Sequence, residues 1–138
     1  MIKLQFGSIF LAMKLPGILL IDGDLKRRND FASRLRVIGY DVELADGGFH
    51  AIHLIEKVEY FCLIVLEDMQ DMSGNEIITH ARTHKEKLDL PIIYISRTTD
   101  QGEVLHAFES GANDFIVYSP KCFNSISEKL KKFSKTAK

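Results

Sequence analysis

Apolar and polar residues fall into alternating blocks along this chain, and the blocks switch between two periods. Residues 17–21 (GILLI), 63–66 (LIVL) and 91–95 (PIIYI) are short, continuous apolar runs rich in β-branched side chains, the pattern of buried strands. Residues 41–45 and 115–117 read as two further strands. Between the strands the spacing lengthens. Phe31, Leu35 and Ile38 stand four and three apart, which predicts an amphipathic helix over 25–38, stopped by Gly39. Ala51, Ile52, Ile55 and Val58 mark a second helix running from Gly47-Gly48 to about residue 59. Further helices are expected at 75–83 behind the Ser73-Gly74 turn, at 101–110 closed by Gly111, and at 123–133.

Strands alternating with helices in this way predict an α/β fold built on a doubly wound parallel sheet. The three longest runs are apolar on both faces, as interior parallel strands must be. No repeat or linker divides the pattern. One domain is therefore expected over residues 15–133, with 1–14 as an N-terminal extension and 134–138 as a frayed tail.

Composition narrows the reading only a little. The chain has 138 residues, 46% hydrophobic and 27% charged, enough for one self-sufficient core. Its 18 basic and 19 acidic residues leave a net charge of −1, which supplies no pull toward nucleic acid or an anionic membrane. Cys62 and Cys122 are too few for a disulfide framework, so a reducing, cytoplasmic setting is expected. No apolar stretch approaches the ~20 residues that span a bilayer. The first fourteen residues have a mild signal-peptide look, but Gln5, Gly7 and Ser8 break the run and Lys14 closes it. They read equally as an extension or as an upstream start before Met13.

In doubly wound sheets, functional groups gather beyond the carboxyl ends of the strands. That rule selects Asp22, Gly23 and Asp24 after the first strand, and Glu67 and Asp68 after the third. Ser96 and Arg97 follow the fourth strand, and Tyr118, Ser119 and Pro120 follow the fifth.

ILLID at the first strand, MSG at 72–74, PIIYIS at the fourth strand and GANDFIV at 111–117 come in an order and spacing that resemble the receiver domain of bacterial two-component response regulators. The similarity covers about residues 15–132. It implies a flavodoxin-like sheet of order 2-1-3-4-5 with five helices. It also implies a reaction centre of five groups: an acidic pair and an aspartate that hold Mg2+, the aspartate being the phosphoacceptor, with a hydroxyl and a lysine for the phosphoryl oxygens.

Only Asp22 and Ser96 match that set. Gly23 stands where the second acid is expected and Tyr118 where the lysine is expected. Counted from the strand, Glu67 takes the aspartate's place; counted back from MSG, the place falls on Leu66. One extra methylene moves a carboxylate by ~1.5 Å, and ~1 Å can cost a positioned reaction ~100-fold. The centre therefore reads as degenerate, with Asp22 and Glu67 leaving a formal −2.

The resemblance then implies a stand-alone signalling module that acts through protein–protein contacts without aspartyl phosphorylation, and not an enzyme. The alternative is a working single-domain response regulator phosphorylated at Glu67 or Asp68 by a histidine kinase in a phosphorelay. A nucleotide- or flavin-binding protein is disfavoured, because no glycine-rich phosphate loop follows the first strand. No cofactor is expected. Mg2+ would find at most a remnant site of Asp22, Asp24 and Glu67, and Gly23→Asp should improve its binding if the loop keeps the family geometry. The expected partner surface is the fourth helix, fifth strand and fifth helix, with homodimerisation there left open. No nucleic-acid or membrane partner is expected.

Simpler roles stand beside these. Asp24 can cap the helix that begins near Leu25. Glu67 is either a built-in phosphate mimic beside Ser96 or an inert substitution. Phe115 matches the family's aromatic switch but can be a plain core aromatic. His80 with His84, and His50 with His53, read as solvated helix faces. Lys121 is a remote candidate for the missing positive charge, and the lysines of residues 129–138 read as a solvated end.

Overall fold

The structure, a computed structural model, describes residues 15–87 and 89–136. The expected N-terminal extension and the last two residues of the tail lie outside these. Five strands form one parallel sheet: β1 (Gly17–Ile21), β2 (Asp41–Ala45), β3 (Cys62–Val65), β4 (Ile92–Ser96) and β5 (Asp114–Val117). Their order is β2-β1-β3-β4-β5, so the strand order switches direction between β1 and β3 while every strand stays parallel. Among the described residues five helices flank the sheet: α1 (Leu25–Val37), α2 (Gly48–Lys57), α3 (Gly74–Arg82), α4 (Gln101–Ser110) and α5 (Phe123–Thr136). The predicted architecture and strand order are those observed.

The apolar runs behave as interior strands. Ile18 and Leu20 pack on one face with Phe31 and Leu35 of α1 and Ile126 and Leu130 of α5. Leu19 and Ile21 pack on the other with Ala51 and Ile55 of α2, Ile77 and Ile78 of α3, and Ala107 of α4. Each fully buried Leu or Ile contributes about 1.5–3 kcal/mol of hydrophobic stabilisation, so the sheet is the rigid base of everything at its ends.

Element ends differ from the sequence pattern by a few residues, each for a local reason. β3 begins at Cys62 and stops at Val65, although Leu66 stays buried past the last pair. β4 includes Ser96, which pairs with Val117. Helix α2 ends at Lys57 because Val58 turns extended, at φ −122° and ψ 138°. Helix α5 continues to Thr136, so residues 134–136 are helical and not the frayed tail expected. Arg82 closes the far corner, donating to the carbonyls of Gly111 (2.8 Å) and Leu90 (2.9 Å) and to Asn113 Oδ1 (2.7 Å). Burial pushes its pKa down to about 10.

Candidate functional site: a self-paired acidic pocket

Parallel register sets Ile21 beside Val65 and Ala45, so the chain leaves β1 and β3 side by side. Leu66 N then donates to Ile21 O (2.8 Å) and Gly23 N to Glu67 O (3.0 Å). Leu66 is buried in the core, whereas the Glu67 carboxylate meets Ser96 and Arg97 at the strand ends. The loops cross so closely at Gly23 that a Cβ there would lie 1.9 Å from the Asp68 carbonyl oxygen. A second acid at position 23 has no room. The expected benefit of Gly23→Asp is therefore corrected: the loop does not have the geometry that benefit required.

Asp22 is fully buried, and both its oxygens are taken by one guanidinium. Arg27 donates through Nε to Oδ2 (2.8 Å) and through Nη2 to Oδ1 (2.6 Å), the bidentate geometry that makes Arg–carboxylate pairs strong. The same Nη2 reaches Asp68 Oδ2 (3.1 Å) and the Glu67 carbonyl (3.4 Å). The hydrogen bonds that Arg27 donates to Asp22 hold its pKa above the ordinary value, outweighing the opposing effect of burial. Asp24 caps α1, accepting from Arg27 N (2.8 Å), and thereby sets Arg27 in the first helical turn facing the pocket.

Across the pocket, Ser96 Oγ donates to Glu67 Oε2 at 2.6 Å. Glu67 Oε1 accepts from the backbone N (3.2 Å) and Nη1 (3.1 Å) of Arg97. Asp68 stands at a left-handed φ of 70°, and its Oδ2 accepts from Arg27 and from Arg97 Nη2 (3.3 Å). Partial desolvation pushes the Asp68 carboxyl up, but the hydrogen bonds from Arg97 and Arg27 hold it below the usual aspartate range. Tyr118 lies between the two arginines, with Arg27 at 5.4 Å and Arg97 at 5.8 Å from its ring centroid. Three carboxylates (Asp22, Glu67, Asp68) and two guanidiniums leave a formal −1, not the −2 inferred from sequence.

These residues do not fit an octahedral Mg2+ cage. The Asp22 oxygens are already paired, Asp24 is spent on the helix cap, and an Arg27 nitrogen sits among Asp22, Asp68 and the Glu67 carbonyl. The remnant set Asp22, Asp24 and Glu67 is thus split between a buried ion pair, a cap and a hydroxyl clasp. Phe115 is partly buried and meets Tyr94 edge-on, with centroids 5.7 Å apart, while the Tyr94 ring packs on Gly74 of α3. His84 faces Glu56 (3.4 Å) between α3 and α2, and His80, His50 and His53 are exposed. Lys121 is exposed, and the positive charge comes from Arg27 and Arg97 instead.

Comparison with known proteins places this geometry. Residues 18–127 match the response regulator receiver domain, and the chain belongs to that family. It is 30% identical over 115 residues to a chemotaxis protein CheY homolog of Campylobacter jejuni, covering 82% of this chain and 88% of that protein. It is also 31% identical over 110 residues to the two-component response regulator-like PRR73 of rice, covering 78% of this chain but only 14% of that protein. The response regulator TrrA of Thermotoga maritima, solved in complex with Mg(2+)-BeF, superposes with a TM-score of 0.76 at 25% identity, over 86% of this chain and 99% of that one. Receiver domains of this family are signalling proteins that engage other signalling proteins. No described helix is long and apolar enough to cross a membrane.

Proposed function

We propose that this receiver domain works as a cytoplasmic interaction module whose pocket is held together by its own side chains, without aspartyl phosphorylation. The observation that carries the reading is the 2.6 Å bond from Ser96 Oγ to Glu67 Oε2. The hydroxyl that the family uses to hold a phosphoryl oxygen already has a carboxylate partner. Arg27 and Arg97 supply the cationic environment that a metal and a lysine supply elsewhere in the family, and they come at fixed positions on α1 and after β4. Of the two alternatives for Glu67, this favours the mimic over the inert substitution. Output then passes through the surface of α4, β5 and α5 to another protein, or to a second copy of this one, and not through catalysis.

Incubation with acetyl phosphate and Mg2+ should leave the intact mass unchanged, because no aspartate occupies the acceptor position and Arg27 takes the cation's place. The rival reading has one observation in its favour: the Asp68 carboxylate is half exposed and reaches two guanidiniums. A gain of one phosphoryl group, lost in Asp68→Asn, would establish that rival.

Partner affinity gives a second test. Glu67→Ala leaves Ser96 Oγ without its carboxylate and should weaken partner binding about tenfold, the effect of ~1.4 kcal/mol. Glu67→Asp should recover less than half of that loss, since the shorter side chain cannot reach Ser96. Unchanged affinity in Glu67→Ala, with the fold intact by circular dichroism, would return Glu67 to an inert role.

A further inference from the structure

The net charge of −1 hides a segregation of charge between faces. Helices α1 and α5 lie side by side, Phe31 of α1 stacking on Phe123 of α5 with ring centroids 6.5 Å apart. Together they hold nine of the chain's 18 basic residues and two of its 19 acidic ones, which leaves nine basic and 17 acidic residues elsewhere. Arg27 is spent on Asp22 and Lys129 on Asp114 (2.7 Å). Lys26, Arg34, Lys131, Lys132 and Lys135 are exposed.

Two hollows that share Arg34 run along α1. The first, of about 360 Å3, lies between the start of the helix and the loop after β5, and its lining includes Lys26, Arg27, Arg34, Tyr118 and Ser119. The second, of about 380 Å3, is lined by Ser33, Arg34, Val37, Ile38 and Phe123, and its surface is almost wholly carbon. Val37 is 85% exposed and Ile38 43%. We propose that this groove docks a short acidic segment of another protein, its carboxylates beside Lys26 and Arg34 and one apolar side chain on Val37, Ile38 and Phe123.

Arg34 joins the two halves. Its guanidinium lies 5.5 Å from the Phe123 ring centroid, at the border between the charged and the apolar hollow. Its own carboxylate partner is Asp30, one helical turn back at 3.6 Å, an exposed pair of the kind that contributes little. Asp24, the other acid of the first hollow, is held in the helix cap. An incoming carboxylate therefore meets these cations without a strong competitor.

Size selects a segment over a folded partner. The thirteen residues of α1 are about 20 Å long, the span of about six residues of extended chain. Thirteen residues line the two hollows together, whereas a stable interface between folded proteins takes about 20–30 a side. A nucleic acid offers no apolar side chain for the carbon-lined half, and the 17 acids elsewhere oppose a long polyanion or an anionic membrane. The first hollow borders the phosphoryl pocket through Arg27 and Tyr118, but the Ser96–Glu67 bond takes no part in it. Either reading can fail without the other.

The probes are two fluorescein-labelled peptides, one of six glutamates followed by a leucine and a phenylalanine, the other with that order reversed. One of them should bind the full chain saturably and shift the Val37 and Ile38 methyl resonances. Raising salt from about 0.05 M to about 0.5 M should weaken it about tenfold. Arg34→Glu and Val37→Asp should each cost about tenfold in Kd with circular dichroism unchanged, whereas Lys57→Glu on α2 should cost nothing. Binding of neither peptide would overturn the proposal, as would equal affinity for six glutamates alone. Tighter binding of phosphatidylserine vesicles or duplex DNA, lost in the same two variants, would overturn it by assigning the face to a lipid surface or a nucleic acid. A concentration-dependent dimer broken by Arg34→Glu would overturn it by assigning the groove to a second copy.

Discussion

Replacing Arg27 with methionine should destabilise the protein by about 3–5 kcal/mol, the range seen when one partner of a buried ion pair is removed. Asp22 is fully buried, and the guanidinium is its bidentate partner, itself only 9% exposed. Methionine keeps much of the arginine stem against Tyr118, so the loss reports the charge and its hydrogen bonds more than lost packing. Among the described residues, the remaining donor to an Asp22 carboxylate oxygen is Asp24 N, at 2.9 Å. Urea unfolding should show the midpoint fall with little change in slope. Adding Asp22→Asn should restore a large part of the loss, because the uncompensated charge is then gone. If Arg27→Met costs less than about 1 kcal/mol, as an exposed pair would, the buried Asp22–Arg27 pair does not hold the pocket together.

The fold was legible in the sequence because its signals are local and redundant. GILLI, LIVL and PIIYI can only be interior strands, and Gly39 and Gly111 end helices at positive φ of 106° and 124°. Asp22, Glu67 and Ser96 were found because the carboxyl ends of strands are where such sheets place polar groups, and register then brought them together. The two arginines were another matter. Arg97 was in view as a loop residue but carried no role, since its reach to Glu67 and Asp68 depends on how two loops stand in space. Arg27 falls outside both the apolar pattern and the strand-end rule, although it leaves a trace. Lys26, Arg27 and Arg28 open α1 with no acidic residue in its first turn, a charge order that the helix dipole disfavours unless something pairs with it. Arg27 finds the Asp22 carboxylate and Arg28 the Asp22 carbonyl, at 2.7 Å. The cost at the helix start is offset in the pocket.

What most separates this pocket from the family pattern is the glycine, and Gly23→Asp is the substitution that tests it. Read from sequence, the change restores a missing metal ligand. Read from the structure, it drives a side chain into backbone. A Cβ at position 23 would sit 1.9 Å from the Asp68 oxygen, 2.2 Å from its carbonyl carbon and 2.6 Å from Met69 N, none of which can rotate aside. One loop must move, and the bond from Gly23 N to Glu67 O goes with it. Gly23→Ala, which adds the Cβ alone, should therefore cost about 2–4 kcal/mol, at or beyond the upper end for overpacked sites. Gly23→Asp should cost at least as much, since it adds a carboxylate next to Asp22 and Asp68. Millimolar Mg2+ should not raise the melting temperature of Gly23→Asp, because Arg27 still holds the Asp22 oxygens. A cation that bound only the folded state would stabilise it by RT ln(1 + [Mg2+]/Kd), so a melting temperature climbing with Mg2+ is the opposing result. Gly23→Asp folding as stably as the parent and gaining Mg2+-dependent stability would mean that the loops part readily and the cage survives. Arg27 would then be a displaceable guest and not the permanent occupant of the site.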